Sequence, residues 1–194
     1  MEAARAVAVD TVAPADVERA VAVIVLAFSA DPVARWASPD PRQYLTWFPP
    51  LVRAFGGKAF AEGTAHHVNS YAGAALWPPP GIDADQAALE ATLPVGREAE
   101  LTAVFEEMAR YHPNEPHWYL PLIGVDPAHQ RKGCGAALLR ETLRRCDRDH
   151  LPAYLESTNP ANIKLYQAHG FEVLGTIHAG SSPPLFPMLR ATRA

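Results

Sequence analysis

The junction from Gly124 to Leu139, GVDPAHQRKGCGAALL, constrains the fold of this chain more than any other stretch. A buried strand ends at Val125, because the Asp-Pro pair that follows it stops the strand. An amphipathic helix begins near Gly133, and its first N–H groups have no acceptor within the helix. The C-terminal half of the sequence alternates strands and helices in this way, which favours an α/β or α+β protein with a mostly covered sheet.

The same junction predicts an anion site. Gly133 and Gly135 carry no side chains, so a ligand can approach the free N–H groups, where the helix dipole favours negative charge. Arg131 and Lys132 add positive charge. We expect residues 131–136 to hold a phosphate or pyrophosphate; a glycine-rich turn with solvated basic residues is the alternative. The loop matches neither GxxxxGK[ST] nor GxGxxG, which disfavours an ATPase and an NAD enzyme.

Charge and cysteine content limit the function classes. The net charge is 17 − 21 = −4, which argues against a nucleic-acid partner. The longest apolar run, Ala20 to Phe28, is too short to cross a bilayer, and the N-terminus does not resemble a signal peptide. Cys134 and Cys146 would lie about 18 Å apart on one helix, which excludes a disulfide between them. We therefore expect a cytoplasmic protein with no membrane partner.

The order of predicted elements indicates one domain over residues 1–194, without repeats or linkers. Prolines predict that the segment 31–57 holds only short helices, around Tyr44–Trp47 and Leu51–Phe55. The other predicted elements are a strand at 6–12, a helix after Pro14, two short strands within 66–81, an interrupted helix at 83–113, a strand at 117–125, a helix at 134–150, a strand at 152–157, a short helix before Gly170 and two final strands.

A second informative stretch covers residues 155–171. Glu156 lies on a strand, Asn159 precedes a helix, and Asn162 and Tyr166 share one helical face because they are four residues apart. Each has a plain structural interpretation as well. Glu156 can be a strand-end charge, Asn159 a helix N-cap and Tyr166 an ordinary half-buried tyrosine.

No metal site is predicted from the histidines. His66 and His67 are adjacent, so they point to opposite faces of a strand. The other six histidines show no spacing typical of metal ligands.

Two motifs carry a family resemblance. The pattern Q-x-x-G-x-G at Gln130, Gly133 and Gly135 is followed, after a helix and a strand, by N-x-x-x-x-x-L-Y-x-x-x-G-F beginning at Asn159. In this order and separation they resemble the GNAT superfamily of acyl-CoA-dependent N-acyltransferases. Residues 112–190 are similar, more closely, to the puromycin N-acetyltransferase type.

The resemblance implies a GNAT-like α/β (α+β) fold: a mixed, mostly antiparallel central sheet with a splayed central strand pair, flanked by helices. Residues 1–113 would form the acceptor-side half and residues 114–194 the acetyl-CoA-binding half. The implied acetyl-CoA contacts are Ile123, Gly124 and Val125 for the pantetheine arm; Gln130, Arg131, Lys132, Gly133, Cys134, Gly135 and Ala136 in the pyrophosphate loop; Asn159 or Asn162 for a pantetheine hydrogen bond; and Tyr166 beside the thioester sulfur.

Acyl transfer to an amine requires a neutral amine, an oxyanion donor and a proton for the leaving thiolate. A backbone N–H near Val125 can stabilise the oxyanion, and Tyr166 can donate the proton. Glu156 is the candidate general base, directly or through a water. His117, Tyr119 and a water chain without a single base are the alternatives.

We therefore expect an acetyl-CoA-dependent N-acetyltransferase, without a metal, that acts on a small-molecule amine such as an aminonucleoside or another antibiotic-like compound. A non-catalytic acyl-CoA-binding sensor and an enzyme for protein or peptide amines are the alternatives. The resemblance is compatible with a homodimer. One aromatic cluster either lines the acceptor pocket or packs in the core: Trp36, Tyr44, Trp47, Phe48 and Phe55.

Overall fold

A computed structural model describes residues 7–192 of the chain. Ala6, at the start of the first predicted strand, and the two ends of the predicted domain lie outside the described residues. The strands are β1 Val9–Thr11, β2 Ala65–Val68, β3 Gly73–Leu76, β4 Trp118–Tyr119, β5 Leu122–Val125, β6 Ala153–Ser157, β7 Glu172–Val173 and β8 Phe186–Arg190. The α-helices are α1 Val17–Ala27, α2 Pro32–Ala37, α3 Pro41–Gly56, α4 Lys58–Ala61, α5 Gln86–Ala91, α6 Glu98–Tyr111, α7 Cys134–Asp149 and α8 Ile163–Gln167.

The strands form two four-stranded sheets. The first has the order β1-β2-β3-β5 and is antiparallel throughout. The second has the order β4-β6-β8-β7, in which β4 and β6 are parallel and the other pairs are antiparallel. Helices α1 and α7 both pack on the first sheet, and α7 also shares a hydrophobic cluster with β6 and β8 of the second. The predicted α+β class with a mostly antiparallel, mixed sheet is confirmed.

The run from β4 to β5 joins the two sheets and then separates them. The N–H groups of Trp118 and Leu120 donate to the carbonyl oxygens of Pro152 and Tyr154, both at 2.9 Å, which holds the start of the run against β6. The next donor of this ladder would be the N–H of Leu122, but Leu122 lies opposite Leu76 of β3 and not against β6. From Leu122 onward the run pairs with β3 instead. β5 and β6 therefore diverge, as the predicted splayed strand pair requires.

Helix α3 differs from the prediction. It is continuous from Pro41 to Gly56 and contains Pro49 and Pro50, so the two short helices expected there are wrong. Its buried face carries Tyr44, Phe48 and Val52, spaced by four residues. Burying three such side chains, at about 2 kcal/mol each, offsets the penalty of about 3 kcal/mol per interior proline.

Close packing of α1 on β5 fixes one wall of the diverging strand pair. A methyl group at Gly124 would lie 2.6 Å from Cβ of Ala27 and 3.4 Å from Cα of Ile24. The backbones of α1 and β5 therefore approach each other so closely at Gly124 that no side chain fits between them. Only glycine fits this position of β5 unless the helix moves.

We expect Gly124→Ala to lower the free energy of unfolding by about 1 to 3 kcal/mol, because the added methyl group overpacks the contact. Urea denaturation measures this loss. In the Ala27→Gly background the clash is absent, so the same substitution should cost less. Strictly additive effects in this double-mutant cycle would contradict the contact.

Candidate active site

A cleft of about 650 Å³ opens between β5 and β6 where the two strands diverge. Its walls are completed by the start of α7, the segment from β6 to α8 and the link from α1 to α2. The sequence-predicted site residues that line it are Ile123, Gly124, Val125, Gln130, Arg131, Gly133, Cys134, Gly135, Ala136, Glu156, Asn159, Asn162 and Tyr166. Lys132 is the exception; its Nζ turns back and donates to the carbonyl oxygen of Ala128 at 2.9 Å.

The loop before α7 is held by its own polar groups. The carboxylate of Asp126 accepts the N–H of Ala128 at 2.8 Å, and Nε2 of Gln130 donates to the carbonyl oxygen of Val125 at 3.3 Å. Arg131 and Gly133 have φ values of 58° and 83°. This left-handed backbone is the reason that glycine suits position 133, since other residues are strained there.

Helix α7 begins without a side-chain cap. Its N-cap residue is Gly133, and no side chain accepts a hydrogen bond from its first turn. The first amide of the helix with an intrahelical acceptor is that of Ala137, which donates to the carbonyl of Gly133 at 3.0 Å. The N–H groups of residues 134–136 are consequently available to a ligand at the positive end of the helix dipole.

One edge of β5 also has free hydrogen-bonding groups. Within residues 7–192, β5 pairs with β3 and with no other strand. Its opposite edge, from Ile123 to Val125, faces the cleft. An extended ligand with amide groups can pair with such an edge as an added strand.

Asn159 and Asn162 stand on the opposite wall. Oδ1 of Asn159 accepts the N–H of Ala161 at 3.0 Å, so the N-cap interpretation of Asn159 is confirmed. This cap leaves the Nδ2 group of Asn159 able to donate to a ligand. Asn162 is exposed and ends the short turn that precedes α8.

Tyr166 is buried on α8, with its ring edge-on to Phe171 at a centroid distance of 6.2 Å. In the described part of the chain its hydroxyl has no hydrogen-bond partner, although Tyr166 lines the cleft. Burial, and secondly the negative charge of Asp31, raise the pKa of Tyr166 above its usual range. The hydroxyl therefore keeps its proton at neutral pH.

Glu156 lies on β6 with its side chain 3% exposed. Its Oε2 accepts the hydroxyl of Tyr119 at 2.8 Å, whereas its Oε1 is buried without a hydrogen-bond partner. Nδ1 of His112 is 4.0 Å from Oε1. Burying a carboxylate oxygen without a hydrogen-bond partner costs free energy. A water, or a proton of the substrate, would satisfy Oε1.

Two histidines, His112 and His117, follow this carboxylate on the side away from the cleft. Nε2 of His112 is 3.0 Å from Nε2 of His117, and Nδ1 of His117 donates to the carbonyl oxygen of Glu115 at 2.7 Å. Burial is the main cause that lowers the pKa of His117. His117 does not line the cleft.

A second, smaller cavity of about 90 Å³ adjoins the cleft, and we call it the apolar chamber. The two cavities share Phe28, Asp31, Pro121 and Thr158. Most of the other chamber walls are aromatic or aliphatic: Val33, Ala34, Ala37, Trp47, Phe48, Leu51, Phe55, Leu93, Pro94, Leu101, Val104, Phe105, Met108, Leu122 and Leu185. Of the predicted aromatic cluster, Trp47, Phe48 and Phe55 thus line a pocket, whereas Trp36 and Tyr44 do not.

Asp31 is the site residue that the sequence analysis missed. It is 7% exposed, and its Oδ1 accepts the N–H groups of Val33 and Ala34, both at 3.0 Å. Its Oδ2 accepts the hydroxyl of Thr158 at 2.6 Å. Asp31-Pro32 is an ordinary helix start in sequence, so only the contact with Thr158 could have revealed its position.

No group of three or more His, Cys, Asp or Glu side chains in residues 7–192 could hold a metal ion. None of the helices in that range has the length and apolarity needed to span a bilayer. Cys134 and Cys146 are free and buried on α7, so the predicted lack of a disulfide between them is confirmed.

A model of the acetyltransferase (GNAT) family matches residues 66–171, more than half of the chain. The chain belongs to this family, and its class is therefore that of the acyltransferases. The matched segment contains β5, the α7 loop, β6 and α8, which are the elements that build the cleft.

Individual relatives agree with this assignment. An uncharacterised N-acetyltransferase of Schizosaccharomyces pombe is 24% identical over 180 residues, covering 80% of this chain and 70% of the relative. A Corynebacterium glutamicum structure described as histone acetyltransferase HPA2 and related acetyltransferase has a TM-score of 0.71 and 24% identity, covering 97% of each chain. The polyamine N-acetyltransferase of Drosophila melanogaster has a TM-score of 0.67 and 14% identity, covering 95% of this chain and 99% of that one. These structural likenesses establish the fold.

Proposed function

We propose that the protein is an acetyl-CoA-dependent N-acetyltransferase that moves an acetyl group directly to the amine of a small molecule. The observation that carries the proposal is the cleft, where the free edge of β5, the uncapped start of α7 and Tyr166 line one cavity. Family membership supplies the reaction class. The residues of the cleft would supply complementary groups for the pyrophosphate, the pantetheine arm and the thioester sulfur.

The fit to acetyl-CoA follows from groups that the fold leaves without partners. The first-turn N–H groups of α7 would bind the pyrophosphate, and Arg131 would supply a counter-charge. The edge from Ile123 to Val125 would pair with the pantetheine amides, and Asn159 or Asn162 would donate a further hydrogen bond. Bound in this way, acetyl-CoA supplies the activated acyl group.

Tyr166 would act as the general acid. Its hydroxyl has no protein partner and is protonated at neutral pH, so it can donate to a thiolate that forms beside it. The N–H of Val125, at the end of β5, would stabilise the oxyanion. One such donor contributes roughly 3 kcal/mol to the transition state.

Glu156 would be the general base, acting through a water at its unpartnered Oε1. Tyr119 suits this role less well, because burial and the charge of Glu156 raise the pKa of Tyr119 and keep it protonated. His117 lies beyond His112 from the carboxylate. It would therefore receive a proton from the Glu156 side rather than from the amine.

The acceptor would be a small molecule, because the chamber beside the cleft holds only about 90 Å³. This volume is too small for the body of a protein. The similarity to the puromycin N-acetyltransferase type makes an aminonucleoside one acceptor to test. The homodimer and the cytoplasmic location stay predictions.

Removal of one anion-binding amide tests the acetyl-CoA site. Ala136→Pro deletes an N–H group in the first turn of α7, where proline is tolerated. We expect acetyl-CoA to bind about 10-fold more weakly, because a hydrogen bond to a charged group is lost. Isothermal titration calorimetry measures this change, and Ala136→Ser, which keeps the N–H, is the matched control. Equal affinities of the two variants would rule out the amide contact.

Removal of the Tyr166 hydroxyl tests the acid role. Tyr166→Phe keeps the ring packed against Phe171, so acetyl-CoA affinity should change little, whereas kcat should fall about 100-fold or more. Steady-state kinetics separates the two effects. Tyr71→Phe, remote from the cleft, should match the wild type, and an undiminished kcat in Tyr166→Phe would remove Tyr166 from the mechanism.

Thiol release from acetyl-CoA tests the function as a whole. The assay uses small alkyl, aryl and polyamine acceptors, puromycin, a peptide amine and an amine-free blank. Release that depends on a small amine and on Tyr166 is the expected result. Binding of acetyl-CoA without release by any amine would support the sensor alternative, and release with the peptide alone would support a protein acceptor.

A further inference from the structure

Asp31 occupies the boundary between the cleft and the apolar chamber. It lines both cavities, together with Phe28, Pro121 and Thr158, and it is the only charged residue among the described residues of the chamber wall. Asp31 and Tyr166, whose hydroxyl is assigned as the acid, both line the cleft. A group bound to Asp31 would therefore lie beside the reacting end of the acyl donor.

The carboxylate of Asp31 lacks a charge partner. None of the ion pairs found in residues 7–192 includes Asp31. Two backbone N–H groups and one hydroxyl bond to it, which leaves one of its about four acceptor positions free. Burial nevertheless raises the pKa of Asp31. A cationic or N–H-bearing ligand would use the free position and offset the cost of the buried charge.

Helix capping alone does not explain this environment. Asp40 caps α3 in the same way, accepting the N–H groups of Arg42 and Gln43 at 2.9 Å before Pro41. Asp40 is exposed and lines neither cavity. Of the two Asp-Pro caps that begin α-helices in the described residues, which have the same local geometry, only Asp31 is buried against a cavity.

The chamber beyond Asp31 selects by shape and polarity. Its walls offer Phe28, Phe55, Phe105 and Met108 but no further charge. Its volume of about 90 Å³ is below the roughly 150 Å³ of a cavity that accommodates benzene. A short alkyl group fits such a space, whereas a second ammonium group inside it would be buried without a partner.

We infer that Asp31 holds the acceptor amine, and that the acceptor is a compact primary amine whose short apolar body enters the chamber. This inference rests on the proposed function and names the substrate class of the same site. The amine donates an N–H to the free acceptor position of Asp31, which orients its lone pair toward the cleft. Asp31 is then a specificity-determining residue for the reaction.

The first test removes the charge but keeps the cap. Asp31→Asn preserves a good N-cap residue, so the thermal midpoint should stay close to that of the wild type. We expect kcat/KM for the amine to fall about 10- to 100-fold, because a hydrogen bond to a charged group is lost. The Kd of acetyl-CoA should not change. Asp40→Asn is the matched control and should keep wild-type kinetics, and Asp31→Ser replaces Asp31→Asn if the latter unfolds.

The second test uses the wild type with an acceptor series. From ethylamine to butylamine, kcat/KM should rise by about 4-fold per added methylene, the equivalent of about 0.8 kcal/mol. Pentylamine and 1,4-diaminobutane have nearly the same shape but differ in one terminal charge. The diamine should be about 100-fold poorer, because its second ammonium group would be desolvated in the chamber.

The outcomes separate this inference from the proposed function. If the wild type binds acetyl-CoA and acetylates no amine, the proposed function fails and the inference falls with it. If the wild type acetylates alkylamines and Asp31→Asn is equally active, the role of Asp31 is overturned. If 1,4-diaminobutane, puromycin or a peptide is preferred over the alkylamines, the proposed substrate class is overturned.

Discussion

The separation of β5 from β6 is the constraint on which the rest of the site depends. Two amides, those of Trp118 and Leu120, hold the run to β6, and from Leu122 onward the run pairs with β3 instead. The gap that follows is not empty space left by poor packing. One of its walls is fixed by the contact of α1 with Gly124, where no side chain fits. The change of pairing partner between Leu120 and Leu122 therefore gives the protein a deep cleft with a free strand edge.

The helices differ in whether a side chain caps their first turn. Asp31, Asp40 and Asp85 satisfy the first turns of α2, α3 and α5 with their carboxylates. Helix α7, with 16 residues, has a glycine in that position and no side-chain acceptor. Helices α1, α4, α6 and α8 also lack a side-chain cap, so what distinguishes the open start of α7 is that residues 133–136 all line the cleft.

Local pattern was sufficient for the part of the site that is contiguous in sequence. The strand end, the loop and the start of α7 follow one another between residues 122 and 137. The glycine positions and the order of apolar and polar residues were therefore enough to predict a strand, an anion-binding loop and a helix there. The same local reasoning failed for α3, because the gain from burying Tyr44, Phe48 and Val52 depends on distant neighbours. Asp31 was missed for a related reason: its partner Thr158 is 127 residues away, and Asp31-Pro32 looks the same in sequence as Asp40-Pro41.

The uncapped first turn of α7 couples ligand binding to folding. Three amides that the native chain leaves without acceptors are also solvated in the unfolded chain, so the free protein gains nothing from them. A ligand that binds these amides does so only in the folded state, and its binding free energy adds to the free energy of unfolding. At a concentration of 100 times its Kd this addition is about 2.7 kcal/mol. With such a ligand present, the thermal midpoint would depend on the ligand concentration as well as on the protein.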